Sequence, residues 1–114
     1  MRRSRARKFQ PPASGQVPLG CGPSHELVER ARRHLRKGEQ RRAWLVLQEA
    51  CCMSSDDARI WALYAAHSRR MNRLDEAEKA FAQALYLRER QRDEARATVL
   101  RRILEELRSA RRAA

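Results

Sequence analysis

The sequence has few aromatic residues and no long apolar run, and both shortages limit what it can form. Only six of its 114 residues are aromatic, two each of tryptophan, tyrosine and phenylalanine. A chain this short with so little side-chain bulk builds at most one small domain, and it has little material to enclose an active site. No stretch approaches the roughly 20 apolar residues that a membrane-spanning helix requires. We therefore expect one small domain without a membrane span.

Cysteine is too scarce and too poorly spaced for a disulfide framework or a metal site. The three cysteines, Cys21, Cys51 and Cys52, are odd in number, and two of them are adjacent. Cys21 and His25 look like half of a zinc ligand set, but no matching second pair follows. We expect free, reduced thiols, with Cys51 as a small core residue, and no bound metal or cofactor.

The sequence also lacks the residue patterns of common enzyme sites. His25, His34 and His67 have no nucleophile or metal ligand at a suitable spacing, and no glycine-rich loop is present to bind phosphate. We expect His67 to be a surface residue beside Arg69 rather than a catalytic base. The sequence therefore predicts no catalytic residues and no enzyme activity.

Proline and glycine are concentrated in residues 1–23 and are almost missing afterwards. That segment contains all four prolines, three of the four glycines and five basic residues, but no acidic residue. This composition predicts a disordered basic tail. The tail lacks the apolar stretch of a secretory signal, and Pro11, Pro12 and Gly15 disfavour the amphipathic helix of a mitochondrial leader. We therefore expect a cytoplasmic protein.

Positive charge is the feature that the sequence has in excess. The formal net charge is +12 and the pI is near 11.2, with lysine supplying only three of the 26 basic residues. Such a charge favours an anionic partner, which includes nucleic acid, acidic protein and anionic lipid. Charge alone does not choose among these classes.

From residue 24 onward, apolar residues recur at helical spacing, and the pattern predicts an all-α fold of five helices. The predicted helices cover 25–37, 40–53, 58–71, a fourth from about 74, and 93–111. Ser24, the acidic and hydroxyl residues of 54–57, and Asp93 are expected to cap helix starts. Gly38 and Asn72 tolerate the left-handed backbone that often ends a helix.

A comparison of the chain with itself at an offset of 34 residues aligns the small and large residues of two helix pairs. The aligned pairs are Ala31 with Ala65, Gly38 with Asn72, Ala43 with Ala77, Leu47 with Phe81, Ala50 with Ala84, and Leu27 with Trp61. Helices that pack closely need small residues where their backbones approach and a large one in the gap between. We therefore expect the alanines to lie at helix contacts, with Leu47 and Phe81 filling the adjacent space.

This period and pattern resemble the tetratricopeptide repeat, a helix-turn-helix unit of 34 residues. The matching residues of the better copy, 58–91, are Trp61, Ala65, Ala77, Phe81 and Ala84. A looser copy covers 24–57. The resemblance implies a short α-solenoid of two repeats, with 92–114 as a capping helix. An unrelated pair of helical hairpins is the alternative fold.

The junction after the second copy departs from the family pattern. Ser55 and Glu89 stand where a proline usually closes each repeat. Without that proline the segment 88–93 has no strong helix stop, so the fourth and fifth helices are either separate or partly fused.

The resemblance implies that the first helix of each repeat lines a concave groove that holds a partner segment. The residues at these positions are His25, Val28, Glu29, Arg32, Leu35 and Arg36, then Arg59, Ala62, Leu63, Ala66, Arg69 and Arg70, then Arg96, Ala97, Leu100 and Leu104. Together they would form an apolar floor with a rim of arginines. Such a groove suits a peptide or helix with aliphatic anchors and acidic residues, because arginine binds carboxylates bidentately and leucine excludes water. A solvated face without a ligand is the alternative.

One groove of this family, the carboxylate clamp for chaperone C-termini, uses lysine and asparagine at fixed positions. Those positions here carry Val28, Arg32, Leu63, Asp93 and Ala97. Only Arg32 is cationic, so we do not expect chaperone-tail binding.

The fifth helix has a wider apolar face than a single contact requires. Its apolar residues are Val99, Leu100, Ile103, Leu104 and Leu107. One interpretation is that the surplus docks a second copy of the chain, giving a homodimer, or another partner. The other is that both apolar rows pack on the fourth helix.

The functional expectation is a non-catalytic adaptor that binds another protein in the groove and needs no cofactor. The alternative is a basic protein that binds nucleic acid or the ribosome through its arginine-rich tail and surface, since arginine neutralises phosphate. Against this alternative, Phe9 is the only aromatic residue of the tail, and aromatic side chains commonly stack on bases.

Overall fold

The computed structural model of the protein describes residues 23–114, and all five elements in that range are α-helices. They are α1 (Pro23–Arg36), α2 (Gln40–Met53), α3 (Ala58–Arg70), α4 (Leu74–Arg90) and α5 (Glu94–Ala113). Residues 23–114 contain no strand. The predicted all-α fold with five helices is therefore confirmed. The predicted basic tail lies, apart from Pro23, outside the described residues.

Neighbouring helices in the chain are neighbours in space. α1 contacts α2, α2 contacts α3, α3 contacts α4, and α4 contacts α5. The connections are only three or four residues long, so each helix turns back along its predecessor. As a result, α3 and α5 both pack against α4.

Aspartate side chains begin two of the helices, as the sequence predicts. Asp57 accepts hydrogen bonds from the backbone N–H groups of Arg59 at 3.0 Å and Ile60 at 3.4 Å at the start of α3. Asp93 accepts one from the N–H of Arg96 at 3.2 Å at the start of α5. These bonds satisfy donors that have no partner within the helix.

The prediction that Ser24 caps α1 is wrong. α1 begins at Pro23, so Ser24 lies inside its first turn rather than before it. Proline favours the first helical position because its fixed φ suits the helix and it has no N–H to satisfy. The Ser24 hydroxyl instead hydrogen-bonds the hydroxyl of Ser54, which follows α2.

Three helices end in the same way, on a residue with a left-handed backbone. These residues are Gly38, Asn72 and Arg92, with φ of 79°, 62° and 59°. The next N–H then donates to a carbonyl five residues earlier, from Glu39 to His34 at 2.9 Å, Arg73 to Ser68 at 2.8 Å, and Asp93 to Arg88 at 2.9 Å. This bond defines a Schellman motif, which satisfies carbonyls at a helix end.

The motif at Arg92 separates α4 from α5, so the partly fused alternative is wrong. Gly38 and Asn72 are residue types that indicate a left-handed position, whereas arginine is not. The helix stop at Arg92 depends on the residue that follows it. The Asp93 side chain caps α5, and the Asp93 backbone N–H donates to a carbonyl at the end of α4.

The alanines of the repeated pattern lie at the helix contacts, as predicted. All six paired alanines are at most 1% exposed, and Leu47 and Phe81 are also buried. The six are Ala31, Ala43, Ala50, Ala65, Ala77 and Ala84. A methyl side chain lets two helix backbones approach closely, and the larger residues fill the gaps beside them.

A buried polar contact joins α2 to α3 at the boundary between the two helix pairs. The Trp44 ring stacks on Tyr64 with centroids 6.0 Å apart, and its Nε1–H donates to the Ser68 hydroxyl at 2.8 Å. The Ser68 hydroxyl in turn donates to the Tyr64 carbonyl at 2.8 Å. The Arg73 guanidinium lies 4.7 Å from the centre of the Trp44 ring. The Trp44 Nε1–H and the Ser68 hydroxyl thus both have partners, so burying these two groups carries little penalty.

His67 belongs to the same boundary and is not the surface residue that the sequence predicts. It is only 2% exposed, and its Nε2 donates to the Gln40 carbonyl at 2.9 Å. Its charged neighbour Arg69 favours an exposed position only on the evidence of the local sequence. The start of α2, which is distant in sequence, covers His67.

The left-handed residue at the end of α4 gives a test of backbone strain. We expect Arg92→Gly to stabilise the protein by about 0.5–1 kcal/mol, because glycine adopts positive φ without the penalty of a side chain. The same change in the middle of α5, Arg102→Gly, should destabilise it by about 1 kcal/mol. Urea unfolding followed by circular dichroism measures both. Destabilisation by Arg92→Gly would contradict this assignment.

The buried alanines give a second test. Ala84 is fully buried, so Ala84→Leu must push α4 away from its neighbours, and we expect a loss of about 1–3 kcal/mol in unfolding free energy. Ala95 is exposed at the start of α5, and Ala95→Leu should change stability by less than about 0.5 kcal/mol. Equal effects from the two substitutions would mean that close approach at the alanines is unimportant.

Candidate functional site

A groove of about 730 Å³ lies between α3 and α5, with α4 at its base. It is lined by Arg59, Ala62, Leu63, Ala66, Arg69 and Arg70 from α3, by Phe81 and Arg88 from α4, and by Arg96, Val99, Leu100 and Ile103 from α5. We call this surface the α3–α5 groove. The α3 residues follow a three- and four-residue spacing, which places them on one face of the helix.

The floor of the α3–α5 groove is apolar and partly open. Phe81 and Leu100 are buried beneath it, and Leu63 and Ile103 are half-buried. Val99 is 57% exposed, which is high for a valine in a folded helix. The floor therefore presents aliphatic surface to solvent between two helices.

The two apolar rows of α5 have different roles. Leu100, Leu104 and Leu107 are buried, while Val99 and Ile103 face the α3–α5 groove. The interpretation that both rows pack on α4 is therefore wrong. Another surface of α5 carries Arg102, Glu105, Glu106, Ser109, Ala110 and Ala113, four of which are polar or charged residues.

The rim of the groove is positively charged, and on the α3 side no acidic residue pairs with its arginines within residues 23–114. Of the residues that the structure describes, five arginines line it and no acidic residue does. Two of them, Arg88 and Arg96, share the carboxylate of Asp93 at 3.7 Å and 3.0 Å. The other three, Arg59, Arg69 and Arg70, make no ion pair within residues 23–114. The α3 wall therefore carries free guanidinium groups.

Asp93 is well placed to hold its negative charge. The Arg96 side chain and backbone N–H both donate to it, and these bonds lower the pKa of the Asp93 carboxyl below its ordinary value. It caps α5 and fixes two rim arginines at once. The α5 wall is consequently closer to charge neutrality than the α3 wall.

Ion pairs hold α5 against the start of α4. Glu78 accepts from Arg108 Nε at 2.7 Å and also from Arg111, which in turn pairs with Asp75. The hydrogen bond from Arg108 is the largest cause that lowers the pKa of the Glu78 carboxyl. At the other end of the contact, Arg101 pairs with Glu89 at 3.2 Å. These pairs help to fix one wall of the groove.

The structure brings the predicted α3 and α5 residues together but not the α1 residues. Arg59, Leu63, Ala66, Arg70, Arg96 and Leu100 all line the α3–α5 groove. From α1, Val28 is buried in the core, Leu35 is packed against it, Arg32 pairs with Glu29 at 2.6 Å, and Arg36 is exposed elsewhere. Val28 is therefore a core residue rather than a contact for a partner, and so are the fully buried Ala97 and Leu104.

Four groove residues escaped the sequence interpretation. Val99 and Ile103 belong to the surplus apolar row of α5, for which the sequence predicts either a partner contact or packing on α4 but no place in the groove. Phe81 and Arg88 come from α4, a helix expected to lie outside it. No local signal marks Arg88, because its place depends on how α5 turns back over α4.

A second cavity, of about 570 Å³, lies among α2, α3 and α4 on residues that include Cys51, Cys52, Trp61 and Tyr64. Burial raises the pKa of the Cys51 thiol to about 12, so it is unreactive at neutral pH, and its Sγ lies 3.8 Å from the Ile60 carbonyl. The prediction that Cys51 is a small core residue is confirmed.

Among residues 23–114, no three histidine, cysteine or acidic side chains gather as metal ligands. Cys21, which with His25 resembles half of a zinc ligand set, lies outside this range. None of the helices described combines the length and hydropathy needed to cross a membrane.

Comparison with known proteins gives no match. No family model, no curated protein and no solved structure matches this chain. The tetratricopeptide interpretation therefore rests on the residue pattern and the helix order alone.

The Glu78 ion pairs predict a pH dependence. Because the folded protein lowers the pKa of Glu78, its contribution to stability is present above the ordinary value of 4.5 and is lost as the pH falls below it. Glu78→Gln should lower the melting temperature at pH 7 and flatten its decline between about pH 5 and pH 3. Thermal unfolding by circular dichroism measures this. Glu105→Gln, at an exposed site on α5, should leave the slope unchanged; equal flattening there would contradict the assignment.

Proposed function

We propose that this protein is a non-catalytic adaptor that binds a segment of another protein in the α3–α5 groove. The observation that carries the proposal is the combination of exposed aliphatic surface at Val99, beside the half-buried Ile103, with the unpaired arginines of α3. Aliphatic surface between two helices is stabilised when a partner covers it. The arginines add affinity for carboxylates on that partner.

We further propose that the chain is built from two tetratricopeptide-type repeats with α5 as the capping helix. Support comes from the buried alanines at equivalent positions, from the identical helix ends at Gly38 and Asn72, and from the contacts between consecutive helices. The polar outer face of α5 suits a helix that ends such an array, because a terminal unit has no further repeat to cover it.

The histidines and thiols support a role without catalysis or cofactor. His34 Nδ1 lies 2.6 Å from Glu39 Oε1, and His67 is buried against the start of α2. Neither lines the α3–α5 groove. Cys51 and Cys52 are free thiols, which suits a reducing compartment such as the cytoplasm, our proposed location.

Nucleic-acid binding is the second candidate, and the surplus of arginine favours it. Five arginines line the groove, and the formal charge of the whole chain is +12. However, the one aromatic residue that lines the groove, Phe81, is buried at its base and has no ring face free to stack on a base. The apolar floor also offers nothing to a phosphate backbone.

A charge placed on the groove floor tests the proposed function. Leu63→Glu should weaken partner binding by at least about tenfold, because it removes an apolar contact and pairs with the neighbouring arginines. Leu45→Glu is the matched control, since Leu45 is 43% exposed on α2 and does not line the groove. Proteins captured from an extract of the organism's own cells are compared by mass spectrometry for the wild type and both variants.

The result is interpretable only if both variants fold, so their melting temperatures are measured first. Ala66→Trp gives a second block, because Ala66 is exposed and a large ring there fills the groove without entering the core. Identical partner lists for all proteins would defeat the proposal. Partners that disappear after nuclease treatment would instead support the nucleic-acid candidate. A dimer that only the groove variants dissociate, seen by sedimentation velocity, would mean that a second copy fills the groove.

A further inference from the structure

The geometry points to one kind of occupant for the α3–α5 groove: an amphipathic α-helix of about three turns with acidic residues near both ends. This inference rests on the proposed function and specifies the partner's conformation and charge pattern. It is drawn from the placement of the arginines, from the chemistry of the lining residues and from the shape of the floor.

The unpaired arginines mark the two ends of the α3 wall. Arg59 lies in the first turn of α3, while Arg69 and Arg70 lie in its last turn. At 1.5 Å per residue the two ends are about 16 Å apart along the helix axis. Between them the wall presents only Ala62, Leu63 and Ala66 to the groove. A complementary ligand therefore carries carboxylates about 16 Å apart, separated by an apolar stretch.

The lining residues cannot satisfy the backbone of an extended peptide. An extended chain seated on this floor by its side chains would direct N–H groups toward the walls, and each N–H shielded from water would need an acceptor. Within residues 23–114, the lining side chains are all arginine, alanine, leucine, isoleucine, valine or phenylalanine, and none of these is an acceptor. The walls are helices whose interior carbonyls are already bonded within the helix. A helical ligand satisfies its own backbone and so avoids the cost of unpaired N–H groups.

The lining residues also follow the spacing that helix packing uses. Ala62 and Ala66 are one turn apart on α3, and Val99 and Ile103 are one turn apart on α5. These two rows leave a channel with small residues on one side and aliphatic residues on the other. The protein packs its own helices against buried alanines elsewhere, as at Ala77 and Ala84 of α4. A partner helix with aliphatic residues at three- and four-residue spacing fits the same contact.

Charge excludes one occupant from the chain itself. Residues 1–22 carry five basic residues and no acidic residue, so they are repelled by the arginine rim. A nucleic acid carries a phosphate at every nucleotide and would place charges over the apolar floor as well as at its ends. A ligand with charge only at its ends matches this floor better.

The test uses three capped, dye-labelled synthetic peptides of about fourteen residues and measures binding by fluorescence anisotropy. The first has a glutamate pair near each end and leucines at three- and four-residue spacing between them. The second has the same composition with the glutamates gathered at its centre. The third is the first with a central proline, which breaks the helix. The first should bind the wild-type protein at least about tenfold more tightly than either of the others.

Arginine variants then test whether the two ends of the α3 wall bind the glutamates of the peptide. Arg59→Gln and Arg70→Gln should each weaken binding of the first peptide by about tenfold, since each removes a charged hydrogen-bonding partner. Arg102→Gln is the matched control, because it removes the same charge from the outer face of α5 and should leave binding unchanged. Melting temperatures confirm that all variants are folded.

Each outcome decides the inference. Equal binding of the first and second peptides would overturn the spacing of the charges, and equal binding of the proline peptide would overturn the helical conformation. Binding of a short DNA duplex that excludes the peptide and weakens equally in all three arginine variants would mean that the surface takes nucleic acid. Failure of all three peptides to bind, with natural partners still lost in Leu63→Glu, would overturn the inference and leave the proposed function intact. If the Leu63→Glu variant captures the same partners as the wild type, both the inference and the proposed function would be overturned.

Discussion

Close approach of helices at fully buried alanines is the constraint on which this small fold depends. A chain with six aromatic residues cannot fill wide gaps between helices, so the helices must lie close together. Alanines at 0–1% exposure make this approach sterically feasible along α1 to α4. Leu47 and Phe81 then suffice to fill the space that remains. The chain thus compensates for its few large side chains by packing its helices closely at small ones.

The boundary between the two helix pairs is held by different chemistry. There, Trp44 stacks on Tyr64 and bonds Ser68, and His67 bonds the start of α2. Hydrogen bonds are directional, whereas apolar packing is tolerant of small rotations. These buried bonds therefore fix the rotation of α3 about its axis. That rotation decides which α3 residues face inward and which, including Leu63, remain on the α3–α5 groove.

α5 has a structural and a functional side. Its buried leucines and its ion pairs to Glu78 attach it to α4. Its second apolar row, the exposed Val99 and the half-buried Ile103, lines the far wall of the groove. The same helix therefore closes the core and creates the surface that we propose binds a partner. The α3 wall retains free arginines because Asp93 compensates only the α5 side.

The sequence by itself determined the elements that depend on local chemistry. Helix periodicity, the capping oxygens of Asp57 and Asp93, and the left-handed preference of Gly38 and Asn72 act within a few residues, so all five helices and most of their ends were predictable. The alanine positions were predictable too, because their spacing repeats. Half of the site followed from the same periodicity, since the α3 residues lie on one helical face. Only the tertiary structure decided the burial of His67 and Val28, the turn at Arg92, and the entry of Phe81 and Arg88 into the groove. Each of these depends on which distant helix covers a residue, and a one-dimensional pattern carries no information about the rotation of one helix against another.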